Sequence, residues 1–296
     1  MKVQDVLGVL ATIPSLLSEK HDASQASPVR SLFSFGNSYT TTSFNVSSTQ
    51  PSPENPMGNP ELGSGTATPG MNWVGYLATV YNDTTVLSYN HAVYSATVNN
   101  TVTPNPSVPE DLVHQVSSIF EPHYCLSAET GVNWASDSAV FTVWMGINDV
   151  LLLSKETDPF KDIPTVLESY FNLIDRLHDC GARHFLLFNV PPLARSPQIL
   201  AREPLDIELH DILTREYNRE LQHAIQEWGS TNRESKISMF DAWTFFNAIL
   251  DHATTYGFRD NECMGQGCVW WDDLHPTSVA HHILAQDVAK FLGWRA

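Results

Sequence analysis

The sequence predicts an α/β domain, a three-layer α/β/α sandwich with a central parallel sheet. Three observations point there. Apolar runs of strand length alternate with segments of helical period along most of the chain. The run Ala139–Met145 is apolar throughout apart from Thr142, as suits a strand covered on both faces. Polar residues suited to chemistry follow several of these runs, and open parallel sheets bind ligands at the carboxyl ends of their strands. At 296 residues the chain is long enough to bury a substantial core and is within the range of one α/β domain with insertions.

Leu32–Phe35 reads as the first strand. Thr41–Gly70 carries Pro51, Pro53, Pro56, Pro60 and Pro69, so it reads as a long loop or insertion. Asn72–Tyr81 is helical, with Trp73, Val74, Leu77, Ala78 and Tyr81 on one face. Val86–Val93 reads as a second strand. Pro104–Pro109 is another loop, followed by a helix that turns Leu112, Val113, Val116, Ile119 and Phe120 inward. After the strand Ala139–Met145 comes a helix, Thr165–Cys180, ended by Gly181. Phe185–Val190 is a buried strand stopped by Pro191-Pro192. Glu208–Trp228 is a long helix that buries Leu209, Ile212, Leu213, Tyr217, Leu221, Ile225 and Trp228. Ile237–Phe240 is a short strand, and Thr277–Leu292 closes the fold as a helix. No repeat or low-complexity tract is present.

Charged residues make up 17% and apolar residues 42%, a globular composition, and the formal net charge is −17. That charge argues against nucleic acid and anionic membranes as partners. No run of 18 apolar residues exists, so no integral membrane association is expected. Lys2 followed by Val6–Leu17 resembles a signal h-region, with Ser24-Gln25-Ala26 as a candidate cleavage site. Asp5, Pro14 and the charged stretch Glu19–Asp22 weaken that reading and leave an amphipathic or disordered leader as an equal alternative. Residues 1–30 are therefore expected to be a leader and residues 31–296 one domain. Three glycosylation sequons, at Asn45, Asn82 and Asn99, favour a secreted, extracellular protein. Of the four cysteines, Cys263 and Cys268 flank a glycine-rich loop and are expected to form a disulfide. Cys125 and Cys180 read as unpaired thiols, Cys180 buried.

The chemistry concentrates in three places. Ser38 stands in Gly36-Asn37-Ser38-Tyr39, directly after the first strand. Gly146-Ile147-Asn148-Asp149 follows the strand Ala139–Met145. Asp272 and His275 stand in Trp271-Asp272-Asp273-Leu274-His275-Pro276. A serine hydroxyl is a poor nucleophile until a base takes its proton. His275 is the candidate base, and Asp272 can hold its other ring nitrogen. An oxyanion needs donors aimed at it, and backbone N–H groups after Gly36 and the Asn148 amide can supply them. A helix after Ser38 would add its dipole, shortened by the proline-rich insertion. Taken singly, Ser38 could be a turn residue, His275 a surface histidine and Asn148 a turn former. Their combination favours catalysis. Trp270-Trp271 reads either as core or as a wall of the acyl or sugar pocket. Adjacent His281 and His282 point to different helix faces, so no metal site is expected.

These blocks resemble the GDSL, or SGNH, hydrolases. Gly36–Tyr39 resembles the family's nucleophile block, Tyr89–Val98 its second block, Gly146–Asp149 its Gly-x-Asn-Asp block and Asp272–His275 its final block. Phe188–Pro192 resembles a recurrent strand ending. The similarity runs from about residue 31 onward and is closest to fungal acetylesterases of carbohydrate esterase family 16. The resemblance implies a flavodoxin-like SGNH fold with a Ser38–Asp272–His275 triad. It also implies an oxyanion hole from Ser38 and Asn148, with Ser95 near the position of the family's second-block glycine. Two residues depart from the pattern: Asn37 replaces an aspartate, and Ser95 that glycine. No Gly-x-Ser-x-Gly elbow surrounds Ser38, which disfavours the ordinary α/β-hydrolase topology. The expected activity is cofactor-free hydrolysis of short-chain carboxylic esters, foremost O-acetyl groups of saccharides. The alternatives are a lipase or phospholipase of the same family and a non-catalytic carbohydrate-binding module on the same fold.

Overall fold

The computed structural model describes residues 29–125 and 132–294, so the expected leader falls almost entirely outside the described residues. Five strands form one parallel sheet in the order β2-β1-β3-β4-β5. They are β1 Arg30–Gly36, β2 Val86–Asn90, β3 Ala139–Trp144, β4 His184–Phe188 and β5 Lys236–Phe240. The helices are α1 Trp73–Thr79, α2 Leu112–His114, α3 Glu121–Tyr124, α4 Ile147–Leu153, α5 Ile163–Asp179, α6 Pro197–Leu200, α7 Pro204–Thr231, α8 Ala242–Asp251 and α9 Ser278–Leu292. Among the described residues, no helix is long and apolar enough to cross a membrane.

Side-chain alternation divides the core into two layers. Phe33 and Phe35 on β1, Phe141 on β3 and Phe185 on β4 share one face of the sheet. There they meet Phe120, Tyr124 of α3 and Trp228 of α7. Trp144 and Phe188 stand three residues beyond Phe141 and Phe185, so they point to the opposite face. Trp73 of α1 packs against both, and α1 in turn lies on α9. Each face of the sheet is thus sealed by aromatic side chains carried on helices.

All five expected strands form, some with shorter ends. β2 stops at Asn90 because the Asn90 side chain accepts the Ala92 N–H at 3.1 Å and bends the chain. On α7 the buried stripe runs Leu213, Tyr217, Leu221, Ile225 and Trp228. Ile212, expected on that stripe, is exposed, because one residue before Leu213 it stands about 100° around the helix. Leu209 is only partly buried. Helices α4 and α8 were not anticipated. Asn148, near the start of α4, taken singly reads from sequence as a strand-end turn former.

Two disulfides are present, and one overturns a reading from sequence. Cys263 and Cys268 are joined as expected. Cys125 and Cys180 are also joined, so neither is an unpaired thiol. Cys125 follows α3 and Cys180 caps α5, and a separation of 55 residues leaves no local pattern to read.

Candidate active site

Every strand runs in the same direction, so all the carboxyl ends lie along one edge of the sheet. The turn holding Ser38 leaves β1 there, the segment holding Ser95 follows β2, and α4 with Asn148 follows β3. The expected helix after Ser38 does not form. Thr40 and Thr41 both donate to the Asn37 carbonyl, which completes one turn. The carbonyls at the end of this turn are held by side chains. Asn72 donates to Thr40 and Thr41 at 2.8 Å each, and Asn90 donates to Thr40 at 2.7 Å. The serine therefore sits on a braced turn with no helix dipole behind it.

Further braces come from far along the chain. Gln115 accepts from the Gly36 N–H at 2.9 Å and donates to the Gly36 carbonyl at 2.8 Å. It reaches there from a π-helical turn, Gln115–Phe120, inserted between α2 and α3. The Tyr39 hydroxyl donates to the Leu274 carbonyl at 2.6 Å, tying the serine turn to the loop that carries Asp272 and His275.

That loop brings the acid–base pair to the serine. His275 Nε2 lies 2.9 Å from Ser38 Oγ, and His275 Nδ1 lies 2.8 Å from Asp272 Oδ2. Burial alone would raise the Asp272 pKa. The N–H groups of His275 and Leu274, at 2.7 and 2.9 Å from Oδ1, together with the imidazole outweigh burial and hold the carboxyl below its ordinary range. An ionised Asp272 favours the tautomer with hydrogen on Nδ1, which leaves Nε2 free to accept the Ser38 proton. Behind His275, burial keeps His281 neutral, its pKa pushed down to about 3, so no second cation forms there. Trp270 is buried, with its indole N–H on the Asn261 carbonyl, and answers to the core reading. Trp271 is exposed one residue before Asp272.

Asn148 and Asp149 join β3's exit to the segment after Ser95. Asn148 Nδ2 donates one hydrogen to the Ala96 carbonyl at 2.8 Å and keeps its second. Asp149 is fully buried and accepts from Val98 N–H at 3.1 Å and from Thr103 Oγ1 at 2.6 Å. Burial raises its pKa to about 6 despite those bonds. Gly146, just before α4, has φ of +109°, and a Cβ there would meet the Tyr217 ring at 2.5 Å. Only glycine leaves room for α4 to start at that point. Among the described residues, the backbone N–H groups of Ser38 and Ser95 have no hydrogen-bond partner, which leaves both available as donors. Ser95 adopts φ of +56°, a left-handed conformation that favours glycine. At the other departure, Asn37 Oδ1 accepts the Tyr39 N–H at 3.1 Å while its Nδ2 is buried without a partner.

Sequence reasoning named Ser38, Ser95, Asn148, Asp272 and His275, and the fold gathers their segments at one edge. It missed the positioning residues Tyr39, Asn72, Asn90, Gln115 and Asp149. Of these only Tyr39, Asn90 and Asp149 carried any signal, by standing inside the recognised blocks.

A family model described as GDSL-like lipase/acylhydrolase matches residues 32–288. The chain belongs to the GDSL lipase/acylhydrolase family. An acetylesterase of Thermothelomyces thermophilus is 35% identical over 95% of this chain and 96% of its own length. A thermolabile hemolysin of Vibrio parahaemolyticus is 26% identical over 75% of this chain and 54% of its own. Among solved structures, an acetylxylan esterase from Geobacillus stearothermophilus superposes with a TM-score of 0.55 at 14% identity, covering 91% of this chain and 96% of that one. That likeness is one of fold. As a GDSL family member the chain is a carboxylic ester hydrolase.

Proposed function

We propose that the protein is a secreted serine esterase that removes O-acetyl groups from saccharides. Ser38 Oγ attacks the acetyl carbonyl carbon while His275 Nε2 takes its proton. The oxyanion is received by the N–H groups of Ser38 and Ser95 and the free hydrogen of Asn148. Collapse breaks the ester C–O bond, and His275 returns the proton to the departing sugar oxygen. Water then attacks the acetyl-enzyme with His275 again as base, releasing acetate and restoring Ser38. Asp272 holds the imidazole and stabilises its charged form during both steps.

The observation that carries this reading is the Ser38–His275–Asp272 relay, with separations of 2.9 and 2.8 Å. The full-length similarity to an acetylesterase supports acetate as the acyl group. Two disulfides support folding in an oxidising compartment. A fluorophosphonate should label Ser38 alone, and Ser38→Ala should abolish both labelling and turnover of aryl acetates. Acetate release from acetylated xylo-oligosaccharides should exceed hydrolysis of long-chain esters. Failure of the folded protein to label, with no aryl acetate turnover, would instead support a binding module. A preference for long acyl chains would support a lipase.

A further inference from the structure

The two edges of the sheet are finished differently. In a parallel pair, alternate residues of a strand bond through the main chain to its neighbour, and the residues between them point away. On β2 the outward residue Ser88 gives its N–H to the Pro56 carbonyl at 2.8 Å, so the insertion after Ser38 covers that edge. At the opposite edge Lys236 donates to the Arg183 carbonyl at 2.7 Å, and the Phe240 carbonyl accepts from Asn189 at 3.3 Å. Lys236, Ser238 and Phe240 therefore bond to β4 through the main chain, and Ile237 and Met239 turn their N–H and C=O groups outward. Among the described residues these outward groups have no hydrogen-bond partner. Only Phe240 of β5 is buried, whereas β3 is buried throughout. An open strand edge of this kind is a template for another strand.

A cavity of about 540 Å³ lies beside this edge. Phe240, Phe245 and Phe291 give it an apolar lining, and Phe291 is exposed. Asp241 and Asp287 line it too, together with Lys290, which is paired with Asp287 at 2.8 Å. The lining therefore carries more negative than positive charge. Side chains alternate along a strand, so Lys236 and Ser238 lie on the same face of the sheet as Phe240. Lys236 is exposed at the amino end of β5, and Asp241 is exposed directly after its carboxyl end. The edge thus holds a cation at one end and carboxylates at the other. A strand laid antiparallel along it meets opposite charge at both ends if its own charges run in the same order. β5 itself has that order.

The geometry points to a two-fold dimer of this chain, joined by antiparallel pairing of β5 with β5 of a second copy. Centred on Ser238, the pairing sets Ile237 opposite Met239 of the second copy and Met239 opposite its Ile237, and each pair exchanges both main-chain hydrogen bonds. The same register sets Lys236 opposite Phe240 of the second copy. Its methylene stem covers that aromatic lining while its ammonium is drawn to the carboxylates of Asp241 and Asp287. Ser38 and Asn148 follow β1 and β3, inside the sheet, so the pairing leaves the chemistry of each copy in place. Sedimentation velocity of the full chain from about 1 to about 100 μM should show a monomer–dimer equilibrium. Met239→Pro removes an outward N–H that β4 does not use, a substitution edge strands tolerate. The loss occurs twice by symmetry and should weaken the dimer by about 10- to 100-fold. Lys236→Glu should weaken it by about 10-fold through like charge. In both variants kcat for aryl acetate should stay at the wild-type value. A wild-type protein that is monomeric throughout the range would overturn the proposal. So would a dimer that keeps its wild-type affinity in both folded variants, which would place the contact on another surface. Circular dichroism reports folding, and should Met239→Pro fail to fold, Lys236→Glu, at an exposed position, decides alone.

Discussion

Removing the two disulfides separately should expose how differently they act. Cys125–Cys180 closes a separation of 55 residues, and the enclosed segment includes β3, α4 and all of α5. Cys263–Cys268 closes a separation of five. In the chain-entropy treatment the first restrains the unfolded chain by about 4 kcal/mol and the second by about 2. The difference is the sounder quantity, since the constant cancels: 1.5RT times the logarithm of the ratio of separations is about 2 kcal/mol. Cys125→Ala/Cys180→Ala should therefore lose about 2 kcal/mol more than Cys263→Ala/Cys268→Ala in urea unfolding under non-reducing conditions. Activity should divide the other way. Gly265, inside the small loop, donates to the carbonyls of Trp270 and Trp271 beside Asp272. Loosening it should lower kcat/KM for aryl acetate, whereas loss of the distant cross-link should leave the site's geometry in place. Equal stability losses, or a larger loss from the short loop, would refute the loop-length argument.

Asn148→Ala should lower kcat by about 10²–10³ with little change in unfolding free energy, since one oxyanion donor is lost; an unchanged kcat would remove Asn148 from the site. Ser95→Gly should relieve a left-handed backbone and raise the melting temperature by a few degrees, corresponding to about 1 kcal/mol. If the strain also displaces the Ser95 N–H, kcat should rise with it. Asp149 has its pKa raised by burial to about 6 from 3.8 in the unfolded chain, so the native state binds the proton more tightly. Its contribution is full below about pH 4 and is lost as pH rises through 6, a fall of about 3 kcal/mol. Unfolding free energies of wild type relative to Asp149→Asn, taken from pH 4 to 7, should show that fall and then level off; a difference constant with pH would reject it.

The strands and the reacting residues were legible because each leaves a local signature. An apolar run such as Ala139–Met145 announces a buried strand, and Ser38 and Asn148 follow such runs directly. The braces were not legible because they join residues distant in sequence. Gln115 lies 79 residues from Gly36, and nothing in its surroundings marks it as the partner of that peptide. The missing helix after Ser38 is a similar case. Local reading could follow the chain into a first turn but could not foresee that Asn72 and Asn90 would hold the carbonyls at its end. Asp149 was visible within its block, but its bonds to Val98 and Thr103 appear only once β3 and the segment after β2 are side by side.

The bond from Tyr39 to Leu274 bears on how the protein matures as well as on how it works. Chains emerge from synthesis amino end first. Ser38 precedes His275 by 237 residues, and its base must be delivered by a loop that depends on Tyr39 for anchorage. A nascent chain with the first four strands in place would hold Ser38 and Asn148 but not His275. Hydrolytic power therefore arrives late and all at once, when the loop docks. Appearance of activity during refolding should report completion of the whole architecture, lagging any spectroscopic signal from the sheet.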